Sequence, residues 1–159
     1  MKYQSMALLA ALSLALGSAA FAARPADQTR SQLPIKEFMG HVFQRNAEQV
    51  WGWTAEEVDV RGTHSSRPVT EQDWENAESD ALSLAELTYA LEGSVNRINA
   101  PDWRAHIARV REVANASAHA AEAHDYPALQ KAGDDLNEAC VSCHMRFAPQ
   151  LESPPPSAS

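Results

Sequence analysis

The chain holds only two cysteines, and both fall in Cys140-Val141-Ser142-Cys143-His144 near its C-terminus. On a helix, residues at i, i+3 and i+4 share one face. The stretch before the motif carries the same face: Leu129, Ala132 and Leu136 are in phase with Cys140, Cys143, His144 and Phe147. The motif therefore belongs on the core-facing stripe of a helix, and whatever it holds becomes part of the core. Two thiols at this spacing, with a histidine directly after the second, are the attachment signal for a c-type haem. The thiols reach the two vinyl groups along one porphyrin edge as thioethers. The histidine, one turn past the first cysteine, can sit under the iron as proximal ligand. The expectation is one haem c per chain, attached through Cys140 and Cys143, with His144 on the iron.

Other readings of the motif are weaker. A thioredoxin-like redox pair wants a βαβ context, and nothing here reads as strand–helix–strand. A structural zinc site wants two more ligands at metal spacing. His119 and His124 are the nearest upstream histidines, but they fall in a separate helical stretch with no second Cys-x-x-Cys. Chance occurrence is the remaining alternative.

The first residues have the three parts of a secretory leader. Lys2 supplies charge, Met6–Leu16 an apolar core and Ala20-Phe21-Ala22 a small-residue end. Cleavage is expected after Ala22, or alternatively after Ala23. The apolar core is short for a membrane span, so no membrane insertion is expected once the leader is removed; a retained N-terminal anchor is the competing reading. What remains is the size of one domain. A periplasmic location follows from this reading. The formal charge of −8 argues against nucleic acid and anionic lipid as partners. It fits a redox partner with a basic docking surface, or simply solubility.

Four amphipathic helices are expected. Residues 23–33 read as a mobile N-terminal arm. Pro34 suits a helix start, and Ile35, Met39, Val42, Phe43 and Val50 mark one face of a helix over 34–51. Residues 52–69, with Gly52, Gly62 and Pro68, read as a long connection without a strand. Thr70 is a good N-cap for a helix over about 70–98, with Glu71 and Asp73 in its first turn. Its stripe is Trp74, Ala77, Ala81, Leu84, Ala85, Thr88, Leu91 and Val95. Asp102 is expected to cap a third helix, whose stripe is Trp103, Ile107, Val110, Ala114, Ser117 and Ala121. The fourth opens at Tyr126-Pro127 and runs to about Phe147. Pro149 stops it, and residues 150–159 read as a disordered, Pro-rich tail. The fold class expected is all-α, an antiparallel four-helix bundle over 34–149 with haem filling part of the core.

A leader, four helices and a lone Cys-x-x-Cys-His on the last helix resemble the class II c-type cytochromes, the cytochrome c-prime group and its low-spin relatives. The resemblance covers about residues 33–148 and rests on Cys140, Cys143, His144 and Phe147. A basic residue often follows the aromatic in that family; here Ala148 does, with Arg146 nearby. The family places the distal residue on the first helix, at or near Met39, although the tyrosine–arginine pair often seen just before it is absent. Low-spin members have a methionine ligand there, whereas cytochromes c-prime leave the iron five-coordinate. The resemblance also implies dimers through helices one and two.

Met39 has a separate argument. Past the leader only Met39 and Met145 remain, and Met145 adjoins the proximal ligand on its own helix. The alternative is that Met39 fills the core, as a Met on an apolar stripe commonly does. Ile35, Val42, Phe43, Leu136 and Phe147 are expected to pack on the haem. His41 is the nearest rival ligand, and Asn46 is a candidate contact for a propionate. Trp74 and Trp103 read as core anchors. Two functions follow. With Met39 on the iron the chain is a periplasmic electron carrier. With Met39 off it, the distal side is open in an apolar pocket, which the resemblance to cytochrome c-prime implies would bind nitric oxide or carbon monoxide. No distal acid–base pair is placed for catalysis, so no enzyme is expected.

Overall fold

The computed structural model describes residues 33–93 and 101–149. The expected leader, most of the N-terminal arm and the Pro-rich tail lie outside the described residues. Within them are four helices. The first, α1, is continuous over residues 35–52 in three stretches: α-helical Ile35–Phe38, π-helical Met39–Phe43 and α-helical Gln44–Gly52. Pro34, whose φ of −53° already suits a helix, stands at its N-cap position.

The π turn changes which residues face inward. The expected stripe omitted Phe38, yet Phe38 and Phe43 are both buried, with ring centroids 6.1 Å apart. On a regular α-helix, positions five apart diverge by about 140°; an i→i+5 turn brings them together. Ile35, Met39 and Val42 are half-buried at the flanks of this pair. Ala47 and Val50 continue the buried face.

The connection is more ordered than its sequence indicates. Strands β1 (Glu56–Asp59) and β2 (Gly62–Ser65) form an antiparallel hairpin, with Val58 opposite Thr63 and Asp59 opposite Gly62. Its turn is held by the Asp59 carboxylate, which accepts from the Arg61 backbone N–H at 2.7 Å and from Arg61 Nε at 2.8 Å. Gly62 takes the positive φ of 131° that the turn needs. Four-residue strands are too short to show an alternation, so turn chemistry was the only available signal.

Helix α2 (Glu71–Glu92) starts in a full capping box. Thr70 Oγ1 accepts from the Asp73 N–H, and the Asp73 carboxylate accepts from the Thr70 N–H. The expected extension to residue 98, with Val95, lies outside the described residues. The stripe from Trp74 to Leu91 is buried as expected. Helix α3 spans Trp103–Glu122 and helix α4 Tyr126–Phe147. Asp102 does not cap α3, contrary to expectation: it makes no side-chain cap bond. Its carboxylate is instead taken by Arg146 Nε of α4 at 2.7 Å. Asp125 caps α4, accepting from the Ala128 N–H.

Helices α3 and α4 run in opposite directions: Asp102 pairs with Arg146 and Trp103 packs on Phe147, while Arg109 meets Asp135 lower down. Between α2 and α3, Arg111 donates Nε to the buried Thr88 Oγ1 and an NH2 to Glu92, both at 2.7 Å, and lies over the Tyr89 ring. The later part of α1, Gln44–Gly52, does the close backbone packing of that helix, against α2. Trp53 Nε1 donates to Asp80 at 2.8 Å, and Trp51 Nε1 reaches the Gly133 carbonyl of α4 at 3.2 Å.

Two apolar clusters form the core. One joins Phe38, Phe43, Leu91, Trp103, Leu136 and Ala139; the other, at the opposite end, joins Trp74, Ala77, Ala120, Ala121 and Leu129. No helix among the described residues is long and apolar enough to cross a membrane.

Candidate haem-attachment site

Leu129, Ala132 and Leu136 are buried on α4, and Cys140, Cys143, His144 and Phe147 follow on the same side, half-buried. Cys140 and Cys143 are not joined in a disulfide. Burial, with the nearby Asp102 carboxylate second, pushes the Cys143 thiol up to about 11. This environment keeps the sulfur uncharged, as a thioether would be.

The half-buried residues Cys140, Cys143, Phe147, Ile35, Met39 and Val42 all pack against one cluster. Six of the expected site residues thus border one apolar cluster, and His144 is half-buried beside them on α4. Phe43 and Leu136 go further in, at 3% and 0% exposure, and are members of the core itself. Met145 is 58% exposed.

The neighbouring packing orients the site. Gly133, Cys140 and His144 recur at i, i+7 and i+11 and share one side of α4. Gly133 is where the end of α1 rests. A Cβ there would stand 2.8 Å from Thr54 Oγ1, so any larger residue would force the Thr54 side chain to shift. His144 therefore lies further along the side of α4 that α1 already occupies. On the other flank of the motif are residues of α3. Phe147 is edge-on to Trp103 at 5.1 Å and to His106 at 5.5 Å. Arg146 is tied to Asp102, whose carboxyl it holds below the usual range, chiefly through their hydrogen bond.

The remaining histidines are elsewhere or occupied. His41 is exposed and paired with Glu37 at 3.3 Å. His64 joins Asp59 in the hairpin. His119 is exposed beside Glu122. His124 stacks on Trp74 with centroids 5.0 Å apart, at the end of the molecule away from the motif. Neither His119 nor His124 is thereby placed as a zinc partner for the cysteines. Asn46, a candidate propionate contact, donates to the Val42 carbonyl at 2.8 Å.

Sequence reasoning missed Phe38 and the π turn, and it did not place His106 and Asp102 beside the motif. Nothing in the spacing of Phe38 and Phe43 marks the π turn, because a single 3.6-residue period puts the two rings on different faces. The contacts of Asp102 depend on tertiary packing and leave no mark in sequence.

Comparison with protein-family models, with curated proteins and with solved structures gives no match.

Proposed function

We propose that this chain is a periplasmic mono-haem c-type cytochrome of the class II type, an electron carrier. Its four helices form an antiparallel bundle, with the haem held between α1 and α4. Cys140 and Cys143 would carry the thioethers, His144 would be the proximal ligand and Met39 the distal one. The bound haem supplies one-electron exchange between ferric and ferrous iron. The chain's own part is to bury the group, fix both axial side chains and keep water off the metal. Periplasmic placement rests on the leader-like residues 1–22.

The observation that carries this reading is a match of heights. Trp51 meets Gly133. From Gly133 to His144 is eleven positions, and eleven positions back from Trp51 is Gly40. At about 1.5 Å per residue both paths climb ~16 Å, which supports a placement of Met39 and His144 at similar heights. The two helices run oppositely. Trp53 lies against the cluster of Trp74 and Leu129, at the start of α4, while Phe38 belongs to the cluster that Cys140 and Phe147 border, at its end. The π turn beginning at Met39 adds to this, because such turns are frequent at functional positions.

The second reading, an open distal site for nitric oxide or carbon monoxide, draws on the apolar neighbours Ile35, Val42 and Phe43 around Met39. Optical spectra of the oxidised and reduced holoprotein, with and without carbon monoxide, separate the two. A low-spin spectrum indifferent to carbon monoxide is expected. Met39→Ala should give a high-spin spectrum that shifts on adding the gas. Wild-type protein that already responds to carbon monoxide, or a Met39→Ala spectrum identical to wild type, removes Met39 from the iron.

A further inference from the structure

The outer side of α4 carries a second feature in phase with the motif. Asp134, Glu138, Val141 and Met145 recur at i, i+4, i+7 and i+11, a single stripe. All four are exposed, with Val141 at 39% and Met145 at 58%. The apolar pair lies on the turns that hold Cys140, Cys143 and His144, and Val141 is bonded directly to Cys140. The acidic pair lies just below it. Neither Asp134 nor Glu138 makes an ion pair among the described residues, so both charges are available to a partner. The cations nearby are already engaged: Lys131 with Asp135 at 2.8 Å, Arg109 with Asp135 and Glu112, and Arg146 with Asp102.

We propose that this stripe is the docking surface for the electron-transfer partner, and that the partner offers an apolar centre rimmed with lysines or arginines. The proposal rests on the electron-carrier reading above. Charge complementarity selects the occupant. The free charges beside the apolar pair are carboxylates, on a chain of net charge −8, so a basic rim is attracted and an acidic one repelled. Position selects the face. A group seated on Val141 and Met145 is separated from the thioether side of α4 by one helix width, ~10 Å, and the backbone between Cys140 and Val141 gives a covalent path across it. Two exposed side chains suit a brief encounter rather than a permanent complex, as a carrier that must leave after each transfer requires.

Mitochondrial cytochrome c, a small basic haem protein whose haem edge is ringed with lysines, serves as the probe. The mature holoprotein is mixed with it and treated with a carbodiimide, which joins carboxylates to amines in contact. Cross-links at Glu138 and Asp134 that disappear at high salt are expected. In stopped-flow mixing, Asp134→Lys with Glu138→Lys should slow the low-salt electron-transfer rate by about tenfold, and Val141→Ser with Met145→Gln should weaken it at high salt as well. The same charge reversal at Glu48 and Glu86, exposed on α1 and α2, should have little effect. Cross-links confined to other carboxylates, or an unchanged rate in the Asp134 and Glu138 variant, overturns the proposal. So does a homodimer, in the absence of probe, that Val141→Glu dissociates, since a second copy would then own the surface. The cross-link map reads docking alone, whereas failure of the carrier reading appears separately, as a chain without a haem spectrum or without any electron transfer.

Discussion

Gly133 shows how a single side chain sets the spacing on which the site depends. Its missing Cβ admits Thr54, and with Thr54 comes the Trp51 indole that bonds to the Gly133 carbonyl. Gly133→Ala should gain ~1 kcal/mol of helix propensity but lose more to the overlap with Thr54 Oγ1, for a net cost of about 1–2 kcal/mol. In a Thr54→Ala background the overlap is gone, because the Thr54 Cβ itself is 3.7 Å from the added carbon. The same glycine change should then stabilise. Urea denaturation of the four proteins of this double-mutant cycle measures the sign reversal, and additivity would disprove the contact. None of this was visible in the sequence, where Gly133 was one small residue among several. By contrast Cys140, Cys143 and His144 stand out in the sequence by their spacing alone.

Among the elements, α2 was the most legible. Its start, its first-turn acids and seven buried stripe residues from Trp74 to Leu91 follow from capping and a 3.6-residue period. The capping box gives it a pH dependence. Backbone hydrogen bonds from Thr70 and Val69 lower the Asp73 pKa. A carboxyl whose folded pKa is depressed stabilises the fold fully above its unfolded value, near ~3.9, and the contribution is lost as pH falls through the lowered folded pKa. Asp73→Ala, which removes the carboxylate that accepts from the Thr70 and Val69 N–H groups, should cost about 1 kcal/mol at neutral pH. Its difference from wild type should shrink in acid, as followed by thermal melts across the acid range; a difference independent of pH would mean that the box is not formed. Helix α1 was read less well. A search at one fixed period cannot register a π turn, so Phe38 was assigned to no face although it is buried. The hairpin Glu56–Ser65 escaped for a different reason: it is stabilised by Asp59, Arg61 and Gly62 at the turn rather than by an apolar face. Asp102 was read as a cap because its position suited one, and the ion pair with Arg146 took its carboxylate instead.

For the molecule as a whole, the question is what packs between the early part of α1 and the motif on α4. In the proposed account the haem does, so its loss removes core rather than ornament. A Cys140→Ser, Cys143→Ser chain without haem should melt well below the holoprotein and give a less cooperative transition, since a group bound only by the folded state stabilises it. Equal melting temperatures would mean that the helices close without it. The most direct test precedes all of these: the intact mass of the mature protein, produced with its leader in a host that matures c-type cytochromes. The account predicts the chain mass plus one haem, resistant to acid–acetone extraction and mapped by digestion to the peptide containing Cys140 and Cys143. A folded, exported protein of bare chain mass, with both thiols open to alkylation or joined to each other, would contradict it.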